Sequence, residues 1–140
     1  MKITKFEDIQ AWQLARKLCK DVYGLSGGGR FSKDFGLRDQ ARSAAISVMA
    51  NISEGFDSHS NREFVHFLYY ALRSASELQS HLYVALDQGY ITQVHFARMY
   101  EEAGKVKSMI FAFTQYLRNH KRPPAVRSGP QPRTSNSESA

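Results

Sequence analysis

FGLRDQARSAAISVMANISEG, residues 35–55, carries two stripes at helical spacing. Leu37, Ala41, Ala44, Ala45, Val48 and Ile52 form an apolar stripe, the signature of a helix packed on a core. Gln40, Ser47, Asn51 and Glu54, at i, i+7, i+11 and i+14, form a polar stripe beside it. Polar groups at the edge of a core must find partners or they cost stability. The stretch therefore predicts a helix that shares a hydrogen-bond network with a neighbour.

Its flanks supply start and stop signals. Ser32 is placed to cap the helix, with Asp34 in its first turn, and Gly55 suits its C-terminal cap after Glu54. Phe56 to His59 reads as a turn, and Ser60-Asn61-Arg62-Glu63 as a capping box opening the next helix. That helix carries Phe64, Phe67, Leu68, Ala71, Leu72, Ala75, Leu78, Leu82 and Leu86 as its core stripe, and Gly89 stops it. Upstream, Thr4 and Glu7 fit a capping box before Ile9, Trp12, Ala15, Leu18, Cys19, Val22 and Tyr23. Ser26 and three glycines close this first helix; the loop lacks the preceding strand and the lysine of a phosphate-binding loop. Downstream, Thr92 caps a fourth helix with Phe96, Met99, Tyr100, Ala103, Val106, Ile110, Phe113 and Leu117 inward. No segment alternates with the period of a strand. Four amphipathic helices with short connections predict an all-α, up-down-up-down antiparallel bundle over residues 1–120. Residues 121–140, rich in Ser, Pro and Arg, are expected to form a disordered basic tail.

The net charge of +6 is unevenly spread. Residues 1–120 hold 15 Lys and Arg against 12 Asp and Glu; residues 121–140 hold 4 against 1. The tail is thus the more basic part per residue, fit to touch phosphates or simply to keep the chain soluble. Cys19 is the only cysteine, which excludes an intrachain disulfide and fits a reducing cytoplasm. No apolar run approaches the ~18 residues of a membrane span, and residues 1–8 do not read as a secretion signal.

Five side-chain groupings are candidates for function. A second polar stripe, Tyr70, Ser74, Glu77 and His81, lies on the third helix and faces the first across a short turn. The structural reading is a register-fixing network of Gln40, Ser47, Asn51, Glu54, Ser74 and Glu77, with Glu77 paired to Arg38 or Arg42. In that reading Asn51 and Glu54 hold the turn backbone. For metal, Glu63-x-x-His66 is one half of a di-iron pattern and Glu77 with His81 is an i, i+4 pair, but further ligands are missing, so no cofactor is expected. Cys19 and the Ser74–His81 pair lack a general base or acid within reach, so neither predicts catalysis. Ile46, Met49, Val65, Tyr69 and Tyr83 point away from the core stripes and predict a subunit interface. Arg38, Arg42, Arg62 and Arg73, interleaved with tyrosines, fit contact with nucleic-acid phosphates. The alternative is that these arginines pair with Asp39, Glu63 and Glu77 on solvated faces.

Residues 35–55, followed by SNREFVHFLYYALRSASELQSHL, resemble the signature of a four-helix-bundle family named for proteins encoded in intervening sequences of bacterial 23S rRNA genes. Gly36, Leu37, Gln40, Arg42, Ser43, Ala44, Ser47, Asn51, Ile52, Glu54 and Gly55 match the family's second helix. Ser74, Glu77 and Leu78 match the third, where Arg73 replaces a glycine. Phe6, Ile9 and Trp12 fit the first. The resemblance covers residues 6 to about 119 and omits the glycine insert and the tail. It implies a ring-shaped homopentamer without enzymatic activity. Related accessory proteins of diversity-generating retroelements bind nucleic acid and a reverse transcriptase, which makes RNA or DNA the expected partner. A protein-interaction adaptor, a metal-dependent enzyme using Glu63, His66, Glu77 and His81, and a partner-dependent toxin or regulator are the alternatives.

Overall fold

The computed structural model describes residues 2–120, so the expected tail lies outside the described residues. A 3-10 turn at Phe6–Asp8 leads into α1, Gln10–Ser26. A second 3-10 turn at Phe31–Lys33 precedes α2, Phe35–Phe56. α3 spans Asn61–Asp87 and α4 spans Gln93–Asn119. Each helix packs on its chain neighbours, and α1 closes on α4. The result is the antiparallel four-helix bundle that the periodicity predicts. Among the described residues no helix is long and apolar enough to cross a membrane.

Two of the predicted caps are in place. Ser60 Oγ accepts from Glu63 N at 3.1 Å, and Thr92 Oγ1 accepts from His95 N at 3.1 Å. Glu63 reaches back to His59 N at 3.0 Å. Two starts differ. Asp34, not Ser32, caps α2, taking Leu37 N on Oδ1 at 3.1 Å. Ser32 belongs to the preceding 3-10 turn and donates to Gly29 O at 2.8 Å. At the first helix Asp8 takes the role expected of Glu7, accepting both Thr4 N at 3.0 Å and Thr4 Oγ1 at 3.1 Å. The regular helix then starts at Gln10. Those bonds, the Thr4 backbone bond foremost, hold the Asp8 carboxyl below the usual carboxylate range.

The core runs the length of the bundle through Leu18, Ile52, Leu68, Leu78, Met99 and Ile110, all fully buried. α2 and α3 approach most closely because their shared face is built from small residues. Ala41, Ala44 and Ala45 lie on one helix and Ala71 and Ala75 on the other. The hydroxyls of Ser47 and Ser74 meet at 2.7 Å. Gly55 sits inside α2 rather than ending it, and the helix runs one residue further, to Phe56. A Cβ there would lie 2.6 Å from Phe64 Cδ1.

The Ser47–Ser74 contact fixes the α2–α3 register. Continuing it along the two antiparallel helices sets Arg38 level with Tyr83, about a turn and a half beyond Glu77. The expected pairing of Glu77 with Arg38 or Arg42 is absent; Arg42, nearly level with Glu77, turns instead to Ser26 and Tyr23. Glu77 pairs with His81 at 3.3 Å instead, its side chain 53% exposed. Salt-bridged Lys17 and Glu102 tie α1 to α4 at 2.7 Å. Asn61 Nδ2 donates to Leu117 O at 3.1 Å and His120 O at 2.7 Å, so the first residue of α3 caps the end of α4.

Candidate nucleic-acid interface

The end of α1, the start of α2 and the α3–α4 turn meet at one pole of the bundle. Asp34 links them. One carboxylate oxygen caps α2, and the other accepts from the Tyr90 hydroxyl at 2.9 Å. Phe31 stacks on the Tyr90 ring at 5.6 Å, and the Arg30 guanidinium lies 5.3 Å from the same ring. Arg30 Nη2 donates to Gln88 O at 3.1 Å, covering the end of α3. Gly89 follows with φ of 74°, a left-handed conformation that favours glycine.

The bond to Asp34 raises the Tyr90 phenol above its ordinary value. A raised folded-state pKa favours the neutral phenol, so the bond's contribution is present below the unfolded value near 10 and is lost as pH rises through the folded value. Tyr90→Phe is expected to melt below the wild type at neutral pH. The difference should shrink in thermal melts as pH rises above about 10.

Arg38 and Arg42, one turn apart on α2, stand at this pole. The Arg42 guanidinium lies 4.3 Å from the Tyr23 ring, and its Nε donates to the buried Ser26 Oγ at 2.8 Å. The Arg38 guanidinium lies 4.9 Å from the Phe35 ring. Arg38 donates to Ser32 O at 3.1 Å and pairs with the exposed Asp39 at 3.0 Å. Tyr23 is 41% exposed and Phe35 is 63% exposed, so both residues remain accessible beside the guanidinium groups. Arg42 has no carboxylate partner among the described residues. The helix N-terminus itself is closed to anions, because Asp34 already occupies it. The positive charge exposed at this pole is therefore that of the guanidinium groups.

The same pairing recurs over the surface. Among the described arginines, all but Arg62 and Arg98 lie over an aromatic ring within 6.0 Å, including Arg73 over Tyr70 and Arg118 over Tyr69. Such contacts ordinarily occur about once per 70–80 residues. Here the Arg42–Tyr23 and Arg38–Phe35 contacts, at 4.3 Å and 4.9 Å, are the two shortest.

The arginines expected to act together do not form one patch. Arg38 and Arg42 are neighbours, Arg73 lies midway along α3, and Arg62 sits in its first turn, about 17 Å from Arg73 along the helix. Of the polar stripe, Ser47, Ser74 and Asn51 form one cluster. Asn51 Nδ2 donates to Ser47 O at 2.9 Å and to Ser47 Oγ at 3.0 Å. Gln40 and Glu54 are exposed, like Glu77. The turn backbone is held by Ser58, whose hydroxyl donates to Gly55 O at 2.5 Å, and not by Asn51 or Glu54.

Val65, expected at a subunit interface, is buried within the chain. Its row on α3 explains why: Asn61 bonds the end of α4 and Tyr69 accepts from Arg118, so Val65 lies beneath α4 between them. Met49 is half-buried against the core. Ile46 and Tyr83 are exposed, with Tyr83 packed on Phe96 and Tyr100. Val84, Val94, Phe111 and Tyr116 are also exposed, apolar positions that helical spacing did not single out.

The paired candidates for metal binding are separated. Glu63 bonds His59 N, His66 lies 2.9 Å from the Tyr70 hydroxyl, and Glu77 with His81 stands three to four turns away. Among the described residues no three His, Cys, Asp or Glu side chains converge as a metal site. Cys19 is half-buried, and burial pushes its thiol up. An apolar groove between the N-terminal turn and α4, about 350 Å³ and lined by Ile3, Ile9, Met109 and Phe113, lies at the opposite pole from Arg38 and Arg42.

The fold is shared with a solved protein of unknown function from the S23 ribosomal protein family of Bacteroides thetaiotaomicron. It is 18% identical, covers 75% of this chain and 98% of the other, and superposes with a TM-score of 0.69. Comparison with curated proteins gives no match. The model of the 23S rRNA-intervening sequence protein family matches residues 7–112, which takes in all of α1, α2 and α3 and most of α4. The chain belongs to the 23S rRNA-intervening sequence protein family.

Proposed function

We propose that this chain is a non-enzymatic accessory protein that binds RNA or DNA through its phosphates and works in the cytoplasm as a ring-shaped homopentamer. The observation that carries the reading is the Arg38–Arg42 pair. The two guanidinium groups are held one helical turn apart, each laid against an aromatic ring, and among the described residues Arg42 has no carboxylate partner. Fixed guanidinium groups bind phosphate with little ordering cost, because the planar fork is already oriented. The net charge of +6 supports the same partner. Exposed Ile46, Tyr83, Phe111 and Tyr116 support assembly, since large apolar side chains left open on adjacent helices are best covered by another copy.

Fluorescence polarisation with labelled RNA and DNA at several salt concentrations tests the binding. Affinity should fall steeply with salt as counterions are released. Arg42→Ala should weaken binding about tenfold and reduce the log–log salt slope by about one, without changing sequence preference. Failure to retain RNA or DNA even at low salt would end the nucleic-acid reading. A monomeric mass by light scattering at micromolar protein would end the ring.

A further inference from the structure

Resting on that reading, we infer that the Arg38–Arg42 pole takes single-stranded nucleic acid, with unpaired bases stacking on Phe35 and Tyr23 while the two guanidinium groups hold the adjoining phosphates. Three features of the pole carry this.

Phe35 is the first residue of α2 and the second most exposed of the large apolar side chains, at 63%. It has no polar atom to offer a phosphate. The Arg38 guanidinium lies 4.9 Å from its ring, and the residue as a whole stays 63% exposed. Tyr23 repeats the arrangement with Arg42 at 41% exposure. Flat rings open to solvent and bounded by cations form a stacking platform, which is sequence-tolerant because every base has a π-face.

A duplex cannot use such a platform. Its bases are already stacked inside, and a backbone contact needs charge alone. A single strand offers both chemistries in alternation. Arg38 and Arg42 are separated by a rise of about 6 Å along α2, a spacing that lets them hold successive phosphates of one strand.

The pole also discriminates against a simple anion site. Asp34 fills the α2 N-terminus, and Asp39 and Ser32 O already engage Arg38. Arg42 Nε is likewise engaged by Ser26 Oγ, so each guanidinium group has part of its donor set left for a phosphate. Charge at this pole thus positions a strand, and the open rings add the affinity that separates a strand with bases from one without.

The test uses the full chain and three labelled probes of about 12 nucleotides, within the span that single-strand-binding folds cover. These are a mixed-sequence RNA strand, the same strand annealed to its complement, and an abasic strand that keeps every sugar and phosphate. The single strand should bind on the order of tenfold more tightly than either of the others. Phe35→Ala should remove on the order of tenfold from single-strand affinity, leaving duplex and abasic binding and the helical circular-dichroism signal unchanged. Phe35→Trp should retain single-strand affinity. Tyr23→Leu gives a second, independent reading of the same loss.

Equal binding of the abasic and intact strands would overturn this inference while leaving phosphate binding in place. So would displacement by polyglutamate as readily as by the unlabelled strand, or a Phe35→Ala variant with unchanged single-strand affinity. An absence of binding to all three probes would overturn both this inference and the function it rests on.

Discussion

Leu78→Ala is expected to lower the unfolding free energy by about 3 kcal/mol, and its neighbour Glu77→Ala by less than about 0.5 kcal/mol. Leu78 is fully buried in the centre of α3, where truncation loses the transfer energy of the removed carbons and leaves a cavity that close packing cannot refill. Glu77 is a turn away from any such role. Its side chain is 53% exposed, and its one ion pair is to His81 on the same helix. Both residues belong to the stretch that identifies the family, so motif membership alone would rank them together. Urea unfolding of the two variants separates them; equal losses would show that Glu77 is held by something beyond its His81 contact.

Gly55→Val is expected to cost about 3 kcal/mol, from overpacking rather than from a lost contact. A Cβ at this position would stand 2.6 Å and 3.0 Å from two carbons of the Phe64 ring and 3.1 Å from Phe67 Cβ. The ring has no room to retreat. It is buried and wedged edge-on between Phe56 at 6.3 Å and Phe113 at 5.3 Å. The new side chain must therefore push α2 away from α3 along its last turns. Gly36 is the control. A Cβ there meets only Asp34 Oδ1 at 3.9 Å, and Gly36→Ala should be neutral or stabilising by up to about 1 kcal/mol, since alanine suits a helix better than glycine. Thermal melts of both variants read the difference. A Gly55→Val protein as stable as the wild type would mean that the two helices part without cost.

Helix existence, order and inward faces were legible in the chain because they depend on local spacing. The boundaries were less so where two capping residues compete. Ser32 and Asp34 are both good N-caps two positions apart, and the 3-10 turn that takes up Ser32 settles which is used. Helix register was not legible. It depends on how far the two antiparallel helices slide past each other, which spacing within one helix does not fix. That slide sets Ser47 on Ser74 and Arg38 level with Tyr83, away from Glu77. Val65 was misplaced for a related reason: a helical wheel sees one helix, and the cover came from the end of another. The arginine–aromatic pairs divide the same way. Arg16 with Trp12, Arg38 with Phe35 and Arg73 with Tyr70 stand three or four residues apart on one helix and follow from spacing. Arg42 with Tyr23, Arg30 with Tyr90 and Arg118 with Tyr69 join different elements, and only the fold brings them together.

The bond from Asn61 to His120 O pins the last turn of α4 beside the first turn of α3, and Ile3 and Phe113 line one groove at the same pole. A copy tethered by an anchor or tag placed at either Lys2 or His120 would therefore stand on that pole. Arg38 and Arg42 would then point away from the support, roughly 25 Å above it by helix length. Attachment chemistry at either position therefore lies the length of the bundle away from the pole whose ligand binding is proposed above.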